Sequence, residues 1–302
     1  MSSLSVIVLT YNEELHLERC LKSLQRVGAA VFIVDSFSTD RTREIAVKYG
    51  AEFYQNVWTN HATQINWAID NCSITTDWVM RVDADEYLDD QLIDQINCNL
   101  DRIGTADAGI RIKRLMYFMD KPLKRGGMYP IWHLKIWRVG QARCEQRWMD
   151  ERMVLSSGGT VELEGNLIDH NLNNLTWWTA KHNNYATREA IDVLDKLYGF
   201  TQAPAMSGNI WGNSETRRRW LKQKYLRMPL FLRPYLFFLI RYFVQLGFIE
   251  GRRGFVWSVL QCFWYRYLVD AKIEEAYRMG GKDKEALVKY FLREYGINIT
   301  KI

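Results

Sequence analysis

The chain of 302 residues lacks the cysteine spacing of a disulfide scaffold or of a zinc site. Its five cysteines are scattered and include no C-x-x-C pair: Cys20, Cys72, Cys98, Cys144 and Cys262. The amino terminus lacks the basic region, the long apolar stretch and the cleavage site of a signal peptide. We therefore expect a protein that works in the reducing cytoplasm.

Internal repeats, low-complexity tracts and recognisable nucleic-acid-binding modules are also missing from the sequence. The formal net charge is only +5, so the composition gives little support for a nucleic-acid partner. Hydrophobic residues make up 48% of the chain and charged residues 25%, which permits a sizeable core and argues against disorder. These values are typical of a globular enzyme, and we expect no nucleic acid among its partners.

Acidic residues are absent from the long interval between Glu215 and Glu250. The same interval carries eight cationic residues: Arg217, Arg218, Arg219, Lys222, Lys224, Arg227, Arg233 and Arg241. Residues 229–249 are apolar and aromatic, but charged residues and a proline interrupt them, so their uncharged runs are too short to cross hydrocarbon. The pattern favours helices that lie in the interface of an anionic membrane. A helical hairpin packed on the rest of the chain or on a partner subunit is the alternative.

Strands alternate with helices through the amino-terminal part of the sequence. Runs with β-forming residues lie at 5–10, 30–35, 52–54 and 78–82, and the segments between them carry apolar residues at helical spacing. Such alternation predicts an α/β fold with a mostly parallel sheet flanked by helices, which binds ligands beyond the carboxyl ends of its strands. Three polar groups follow the strands at that edge: Thr10, Tyr11, Asn12 and Glu13; Asp35 and Ser36; and Asp83, Ala84 and Asp85.

The two carboxylates of Asp83 and Asp85 are the most informative pair in the sequence. They end the apolar run at 78–82 in a D-x-D pattern, and side-chain alternation places both on one side of the strand end. Hard divalent cations such as Mg²⁺ or Mn²⁺ take oxygen ligands and bridge protein carboxylates to nucleotide phosphates. The pair therefore predicts a metal site for a nucleoside diphosphate, although a solvated turn after a strand has the same composition.

Four segments resemble the inverting family 2 glycosyltransferases, which have the GT-A fold, in their order and spacing: residues 8–14, 34–42, 64–68 and 82–86. Within that family the chain is similar to the bacterial branch that extends lipopolysaccharide core, capsule or other envelope saccharides, through residues 127–130, 134–138 and 247–255. The resemblance implies transfer of a sugar from a nucleotide diphosphate donor, a UDP-sugar first of all. The implied acceptor is a saccharide, linked to a lipid at the inner face of the cytoplasmic membrane.

Two other functions are compatible with parts of this pattern. A nucleotidyltransferase shares the sheet and the metal carboxylates, but it should carry a Gly-rich, basic phosphate loop after the first strand. The segment at residues 11–14, Tyr-Asn-Glu-Glu, is no such loop. A catalytically silent, membrane-associated binding protein would keep the fold without metal-dependent turnover.

The resemblance also implies roles for residues in the donor half. Asp35 would hydrogen-bond uracil or ribose, although a carboxylate there also suits the cap of the next helix. Tyr11 and Glu13 would lie along the base and ribose, and Asn66 would contact the nucleotide. Ile65 stands where the family often has Lys, which removes one phosphate or ribose contact.

The acceptor half carries the implied base and a third metal ligand. Inverting transfer needs one base that removes the proton of the acceptor hydroxyl. Glu151 occupies the position of the family's acidic residue and follows Asp150, where relatives of this branch more often have His, so the assignment between the two stays open. An exposed acidic turn paired with a neighbouring Arg is the alternative. GT-A enzymes often complete their metal shell with a late histidine, which implies that His170 joins Asp83 and Asp85 around Mn²⁺ or Mg²⁺.

These expectations divide the chain into two regions. Residues 1–215 should form the GT-A catalytic domain, with the nucleotide-sugar half at 1–105 and the acceptor half at 106–215. Residues 216–302 should form basic, aromatic, amphipathic helices that associate with the membrane.

Overall fold

The computed structural model describes residues 3–149, 151–201, 220–221 and 224–300. It divides into two compact units, which are Met1–Glu145 with Glu151–Asn173, and Gln146–Asp150 with Asn174–Ile302. The predicted boundary at 215/216 lies outside the described residues, so it stays a prediction.

The first unit is a layered α/β structure. Its helices are α1 (Leu17–Gln25), α2 (Thr42–Lys48), α3 (His61–Asn71) and α4 (Asp90–Asn99), and a short 3₁₀ turn follows at Leu100–Arg102. Its strands are β1 (Leu4–Thr10), β2 (Ala30–Asp35), β3 (Glu52–Gln55), β4 (Trp78–Asp83), β5 (Glu86–Leu88), β6 (Asp107–Phe118), β7 (Lys121–Pro122), β8 (Ile131–Arg138), β9 (Ala142–Cys144), β10 (Met153–Leu155) and β11 (Gly159–Asp169).

Nine of these strands form one sheet in the order β3-β2-β1-β4-β8-β6-β11-β5, with β7 paired to β6, and β9 and β10 form a separate hairpin. Strands β1 to β4 pair in parallel, as the alternation of strands and helices predicts. Beyond β4 the directions are mixed, because β8 runs antiparallel to both β4 and β6 while β11 runs parallel to β6. The predicted α/β class is confirmed.

Alternate residues of the central strands face two separate helical layers. Val6 and Val8 of β1 pack in the core that contains Leu21 of α1, whereas Ile7 packs in the core that contains Ile65 of α3. All five residues are buried, because a sheet covered on both faces hides successive side chains. Ile65 therefore fills a packing position where the family often has Lys.

The parallel pairing brings the predicted site residues to one edge of the sheet. Thr10 at the end of β1 is in register with Asp35 at the end of β2, and Leu9 is in register with Asp83 at the end of β4. The backbone N–H of Ser36 donates to the carbonyl of Thr10 at 2.9 Å. The loops after these three strands therefore adjoin one another.

The second unit is helical in its described part. It contains α5 (Leu175–Tyr198), α6 (Leu232–Leu239), α7 (Gly251–Trp257), α8 (Tyr265–Gly280) and α9 (Lys284–Tyr295). A π-helical stretch, Ile240–Val244, continues α6, and another, Ser258–Trp264, joins α7 to α8. Residues from α5, α8 and α9 form the core, among them Leu194, Ile273 and Phe291.

Among the described residues, no single helix has both the length and the apolar composition needed to cross a bilayer. The two helices Leu232–Val244 and Gly247–Gly280 satisfy that requirement only when they are taken together, and their axes are bent by 70°.

Candidate active site

Asp35 organises the loop after β2. It is fully buried, and its Oδ1 accepts hydrogen bonds from Thr10 Oγ1 at 2.8 Å and from Ser38 Oγ at 2.5 Å. Its Oδ2 accepts from the backbone N–H of Ser38 at 2.8 Å. These bonds use three of the roughly four acceptor positions of a carboxylate. Asp35 therefore shapes the edge of the site, and its direct contact with a nucleotide stays a prediction.

The loop after β1 is fastened to the loop after β2 through Asn12. Its backbone φ is 56°, a left-handed value that Asn tolerates, and its side-chain Oδ1 accepts from the backbone N–H of Thr39 at 2.8 Å. The backbone N–H of Asn12 donates to Ser38 Oγ at 2.8 Å. The neighbouring Tyr11 side chain stays 61% exposed, so its ring is accessible to a ligand at this edge.

His16 is a buried residue of this region that the sequence did not point to. Its Nε2 accepts a hydrogen bond from the backbone N–H of Leu172 at 2.9 Å, so Nδ1 carries the proton in the neutral ring. That Nδ1–H donates to Glu13 Oε2 at 2.6 Å. Glu13 is therefore held in place through His16 by the chain segment that follows β11.

Asp83 and Asp85 lie at the end of β4 and in the turn to β5. Asp83 is the last residue of its strand, and its side chain is 38% exposed. Asp85 Oδ2 accepts from Asn171 Nδ2 at 2.9 Å, and the Asp85 carbonyl accepts from the backbone N–H of His170 at 3.1 Å. Ala84 between them is buried. The D-x-D turn thus lies against the end of β11.

The charge of Asp83 is stabilised by two cationic side chains and by the neighbouring imidazole of His61. Arg81 donates to Asp83 Oδ1 at 3.3 Å and to His61 Nε2 at 2.7 Å, and His61 Nε2 lies 3.7 Å from Asp83 Oδ1. Burial opposes the charged form, but Arg81, Lys135 and His61 outweigh it and hold the pKa of the Asp83 carboxyl well below its usual range. Asp83 is therefore ionised across the physiological pH range.

Two further carboxylates, Glu86 and Asp169, lie beside the D-x-D pair. Glu86 is buried, and its Oε2 accepts from Lys135 Nζ at 2.6 Å and from the backbone N–H of Asp83 at 3.0 Å. Burial and the Asp85 carboxylate raise the pKa of Asp169 to about 7, although Arg114 opposes them. Each of the two has a cation beside it, because Lys135 bonds Glu86 and Arg114 lies 3.6 Å from Asp169.

The chemistry of the D-x-D carboxylates is the test of whether a divalent cation fits. Within the part of the chain that the structure describes, no three His, Cys, Asp or Glu side chains converge closely enough to form a metal cage. Mg²⁺ and Mn²⁺ do not require one, since they commonly take one or two carboxylates and complete their shell with phosphate oxygens and water. Asp83 and Asp85 fit a site of that kind.

His170 makes contacts that differ from those of a metal ligand. Its Nδ1 lies 3.1 Å from NH1 of Arg19. A guanidinium nitrogen can only donate, so Nδ1 accepts this hydrogen bond. In the neutral ring Nε2 then carries the proton and donates to Asp120 Oδ1 at 3.1 Å, and the ring stacks on Tyr117. Neither nitrogen keeps a lone pair for a metal in this arrangement, so the metal role of His170 stays a prediction.

Arg19 on α1 ties the D-x-D turn to the end of β11. Its NH2 donates to the carbonyl of His170 at 2.6 Å and to that of Asp85 at 3.4 Å. Its guanidinium lies over the Tyr87 ring, 4.5 Å from the centroid. Arg19 is therefore a positioning residue, and in the sequence it is only one charged position on an amphipathic helix.

Glu151 precedes β10 and is half-buried, whereas Asp150 lies outside the described residues. Burial raises the pKa of the Cys144 thiol to about 12, and although Arg81 opposes the rise, Glu151 and Asp83 both add to it. Both carboxylates are therefore within electrostatic reach of the same buried thiol. The role of Glu151 as the base stays a prediction.

Asn66 is engaged with the main chain of β9. Its Nδ2 donates to the Cys144 carbonyl at 2.9 Å, and its Oδ1 accepts from the Cys144 backbone N–H at 2.9 Å. These two bonds fasten α3 to the hairpin of β9 and β10. The contact of Asn66 with a nucleotide stays a prediction.

The sequence of this region matches a known family. Residues 5–154 match the family model described as Glycosyl transferase family 2. The chain therefore carries a glycosyl transferase family 2 domain. Over 91% of its length the chain is 25% identical to an uncharacterised glycosyltransferase of Rickettsia typhi, of which the alignment covers 88%. It is 30% identical to the lipopolysaccharide core biosynthesis glycosyltransferase LpsC of Rhizobium meliloti, over 47% of this chain and 53% of LpsC.

The fold agrees with the family. The mannosyltransferase PcManGT from Pyrobaculum calidifontis superposes with a TM-score of 0.51 over 90% of this chain and 87% of that one, at 12% identity. Such a likeness concerns the fold alone, and the predicted GT-A fold is confirmed. The chain is a glycosyltransferase.

The family 2 domain contains most of the candidate site. The loops after β1, β2 and β4 and the segment with Glu151 all lie within residues 5–154. Asp169 and His170 lie beyond the matched residues, at the end of β11, and reach the site because β11 pairs with β5 directly after the D-x-D turn.

Proposed function

We propose that this glycosyltransferase moves a sugar, with inversion, from a nucleoside diphosphate donor to a saccharide acceptor linked to a lipid. The process would be the synthesis of bacterial envelope polysaccharide or lipopolysaccharide. The observation that carries the proposal is the position of the D-x-D pair at the end of β4, beside the loops after β1 and β2 at the carboxyl edge of the sheet. The similarity to LpsC supports the lipopolysaccharide assignment.

A nucleotide sugar is the proposed donor, with a UDP-sugar as the first candidate. The structure of PcManGT is a complex with GDP-Man and Mn²⁺, which supports a nucleotide sugar and a divalent cation without deciding the base. Tyr11 offers an exposed ring for stacking on the base or ribose. Thr10, Asn12, Asp35 and Ser36 would shape the walls of the nucleoside site.

Mn²⁺ or Mg²⁺ is the proposed cofactor, and Asp83 and Asp85 would hold it. When bound, the ion stabilises the negative charge of the departing diphosphate. Arg81 lies beside Asp83 and is placed to add positive charge on the same side. Asp169 gives this region a further carboxylate that favours a bound cation.

Glu151 is the proposed base, with Asp150 as the alternative. A carboxylate at this position would take the proton of the acceptor hydroxyl while that oxygen attacks the anomeric carbon from the face opposite the nucleotide. The attack from the opposite face is what inverts the anomeric configuration. Its half-buried position inside the matched family 2 residues supports the assignment.

We also propose that the enzyme works at the inner face of the cytoplasmic membrane, where anionic lipids attract its basic segment. The structure corrects one part of the charge count. Arg233 is buried against Asp270 and is not available to lipid, whereas Lys224 and Arg227 are exposed. Residues 217–219 and 222 lie outside the described residues.

The proposal is tested by incubating the protein with a panel of UDP- and GDP-sugars and measuring the release of nucleoside diphosphate. We expect release from at least one donor in the presence of Mn²⁺, acceleration by a lipid-linked saccharide, and loss of the signal with EDTA. Release of pyrophosphate from a sugar phosphate and a nucleoside triphosphate would instead identify a nucleotidyltransferase. Binding of donor without release would contradict a catalytic role.

A further inference from the structure

The second unit exposes a concentrated apolar surface where its two bent helices meet. We call the helix Leu232–Val244 the arm, and residues 239–249 the elbow, which comprises the end of the arm, the 70° bend and the start of the helix Gly247–Gly280. Seven large apolar side chains of the elbow are 40% to 75% exposed: Leu239, Ile240, Phe243, Val244, Leu246, Phe248 and Ile249. An apolar surface of this density on a globular protein marks an interaction site.

The elbow is a built structure held by an aromatic cluster. The ring of Tyr242 lies 5.0 Å from that of Phe243, 5.5 Å from that of Phe238 and 5.7 Å from that of Phe255, between centroids. Leu246 adopts a left-handed φ of 59°, which is strained for a residue with a Cβ and persists only where the surroundings hold it. The exposed apolar side chains are therefore presented in a fixed arrangement.

Three backbone N–H groups of the turn are hydrogen-bonded inside the elbow. The backbone N–H of Gln245 donates to the Ile240 carbonyl at 2.8 Å, and that of Leu246 donates to the Phe243 carbonyl at 3.2 Å. The N–H of Ile249 donates to the Leu246 carbonyl at 3.1 Å. Because unpaired backbone groups are what prevents an irregular turn from entering lipid, these bonds make the elbow compatible with an apolar surrounding.

The charges around the elbow indicate the kind of surface that it binds. The sequence from residue 216 to residue 249 contains no acidic residue, and Arg241 lies within the elbow with its NH1 bonded to Gln245 Oε1 at 3.1 Å. Arg252 is exposed on the second helix, and Glu250 is paired with Arg253 at 3.4 Å. An apolar surface with cations within and beside it is complementary to an anionic leaflet, because the long Arg side chains reach the headgroups.

The length of the arm limits how deeply the elbow can reach into a bilayer. Leu232–Val244 has 13 residues, which at 1.5 Å each span about 20 Å, less than the roughly 30 Å of a hydrocarbon core. A single arm therefore cannot reach the opposite surface before the chain turns back. We propose that the elbow inserts into one leaflet of an anionic membrane and returns to the same side, as a re-entrant anchor. The inference rests on the membrane partner proposed above and assigns it to specific residues.

Insertion is measured with an environment-sensitive NBD label on Cys introduced by Val244→Cys, in a Cys98→Ser background that removes the exposed native thiol. The matched control is Val47→Cys on α2, where Val47 is 63% exposed against 75% for Val244. With phosphatidylglycerol vesicles we expect the emission at position 244 to rise and shift to the blue, and that at position 47 to stay constant. An unchanged emission at position 244 on vesicle-bound protein overturns the proposal.

The same Val244→Cys protein, unlabelled, separates one-leaflet insertion from crossing. A membrane-impermeant maleimide trapped inside the vesicles should not react with position 244. Reaction from the lumen shows that the elbow crosses the bilayer, which contradicts the proposal.

A second pair of variants measures the apolar contribution without a label. Val244→Ser with Ile249→Ser should lower the vesicle partition coefficient by roughly tenfold to a hundredfold, since each buried aliphatic side chain contributes about one factor of ten. Val47→Ser with Val57→Ser is the control and should bind as the wild type does. Equal vesicle binding by the two double variants overturns the proposal. It is also overturned if the protein forms a dimer in the absence of vesicles and only Val244→Ser with Ile249→Ser disrupts that dimer. These readouts do not depend on sugar transfer, so a failure of the catalytic proposal is recognised separately.

Discussion

The buried ion pair of Arg233 and Asp270 gives the sharpest prediction for the packing of the second unit. Their side chains are 2% and 1% exposed. Arg233 donates to Asp270 Oδ1 through Nε at 2.8 Å and NH2 at 2.5 Å, and the backbone N–H of Phe231 donates to Oδ2 at 2.8 Å. The carboxylate has almost no access to water, so its charge is stabilised mainly by the guanidinium.

We predict that Arg233→Met lowers the free energy of unfolding of the second unit by about 3–5 kcal/mol, because it leaves a buried carboxylate unpaired. At a urea slope of about 2 kcal/mol per molar, the unfolding midpoint should fall by roughly 2 M. Adding Asp270→Asn should recover most of the loss, since the amide removes the charge and keeps an acceptor for Phe231. The exposed control Arg227→Met should change the free energy by less than about 0.5 kcal/mol.

The assay is a urea titration followed by tryptophan fluorescence and circular dichroism at neutral pH. A loss below about 1 kcal/mol for Arg233→Met, or a double variant no more stable than the single one, would contradict the stabilising role of the guanidinium. Either result would mean that the carboxylate finds water or another cation when the guanidinium is removed.

Three further predictions concern the site and the basic segment. Glu151→Gln keeps the shape of the side chain but removes its basicity, so sugar transfer should fall by about 10²–10⁴-fold with donor binding nearly unchanged. A comparable loss in Asp150→Asn alone would identify Asp150 as the base. Arg19→Leu removes the hydrogen bonds that hold the D-x-D turn against residue 170, so turnover should fall by roughly a hundredfold with little change in the unfolding midpoint. Arg19→Lys should recover part of the rate. Full activity in Arg19→Leu would contradict this positioning role. The third variant replaces five basic residues by Gln: Arg217, Arg218, Arg219, Lys222 and Lys224. It should bind anionic vesicles more weakly and keep donor hydrolysis. If the wild type and the variant both sediment equally with neutral and anionic vesicles, these charges serve packing.

Local patterns in the sequence predict the parallel half of the sheet and its polar edge. The apolar runs of β1, β2 and β4 each end in a polar residue, and parallel pairing alone brings Thr10, Asp35 and Asp83 to neighbouring positions. The positions of β8 and β11 in the sheet depend on the path of the chain after β5, which hydrophobic periodicity does not encode. Asp169 reaches the site only through that path, so no local pattern in the sequence points to it.

Charge patterns identify residue types without identifying the faces on which they lie. Arg233 belongs to the acid-free segment by sequence, yet it is buried because Asp270, 37 residues later, lies opposite it. His16 and Arg19 likewise act through partners at Leu172 and His170, far along the chain. Such pairs are settled by tertiary packing, so a single sequence does not reveal them.

The most direct test of the account is the metal-dependent release of nucleoside diphosphate by Asp85→Ala beside its control Asp90→Ala. Asp90 is a surface carboxylate on α4, 84% exposed and paired with Arg26. We predict that Asp85→Ala abolishes Mn²⁺-dependent release and weakens Mn²⁺-dependent binding of UDP while the unfolding midpoint stays unchanged, and that Asp90→Ala keeps both activities. Wild-type turnover and Mn²⁺ dependence in a folded Asp85→Ala protein would contradict the assignment of the D-x-D pair as the donor and metal site.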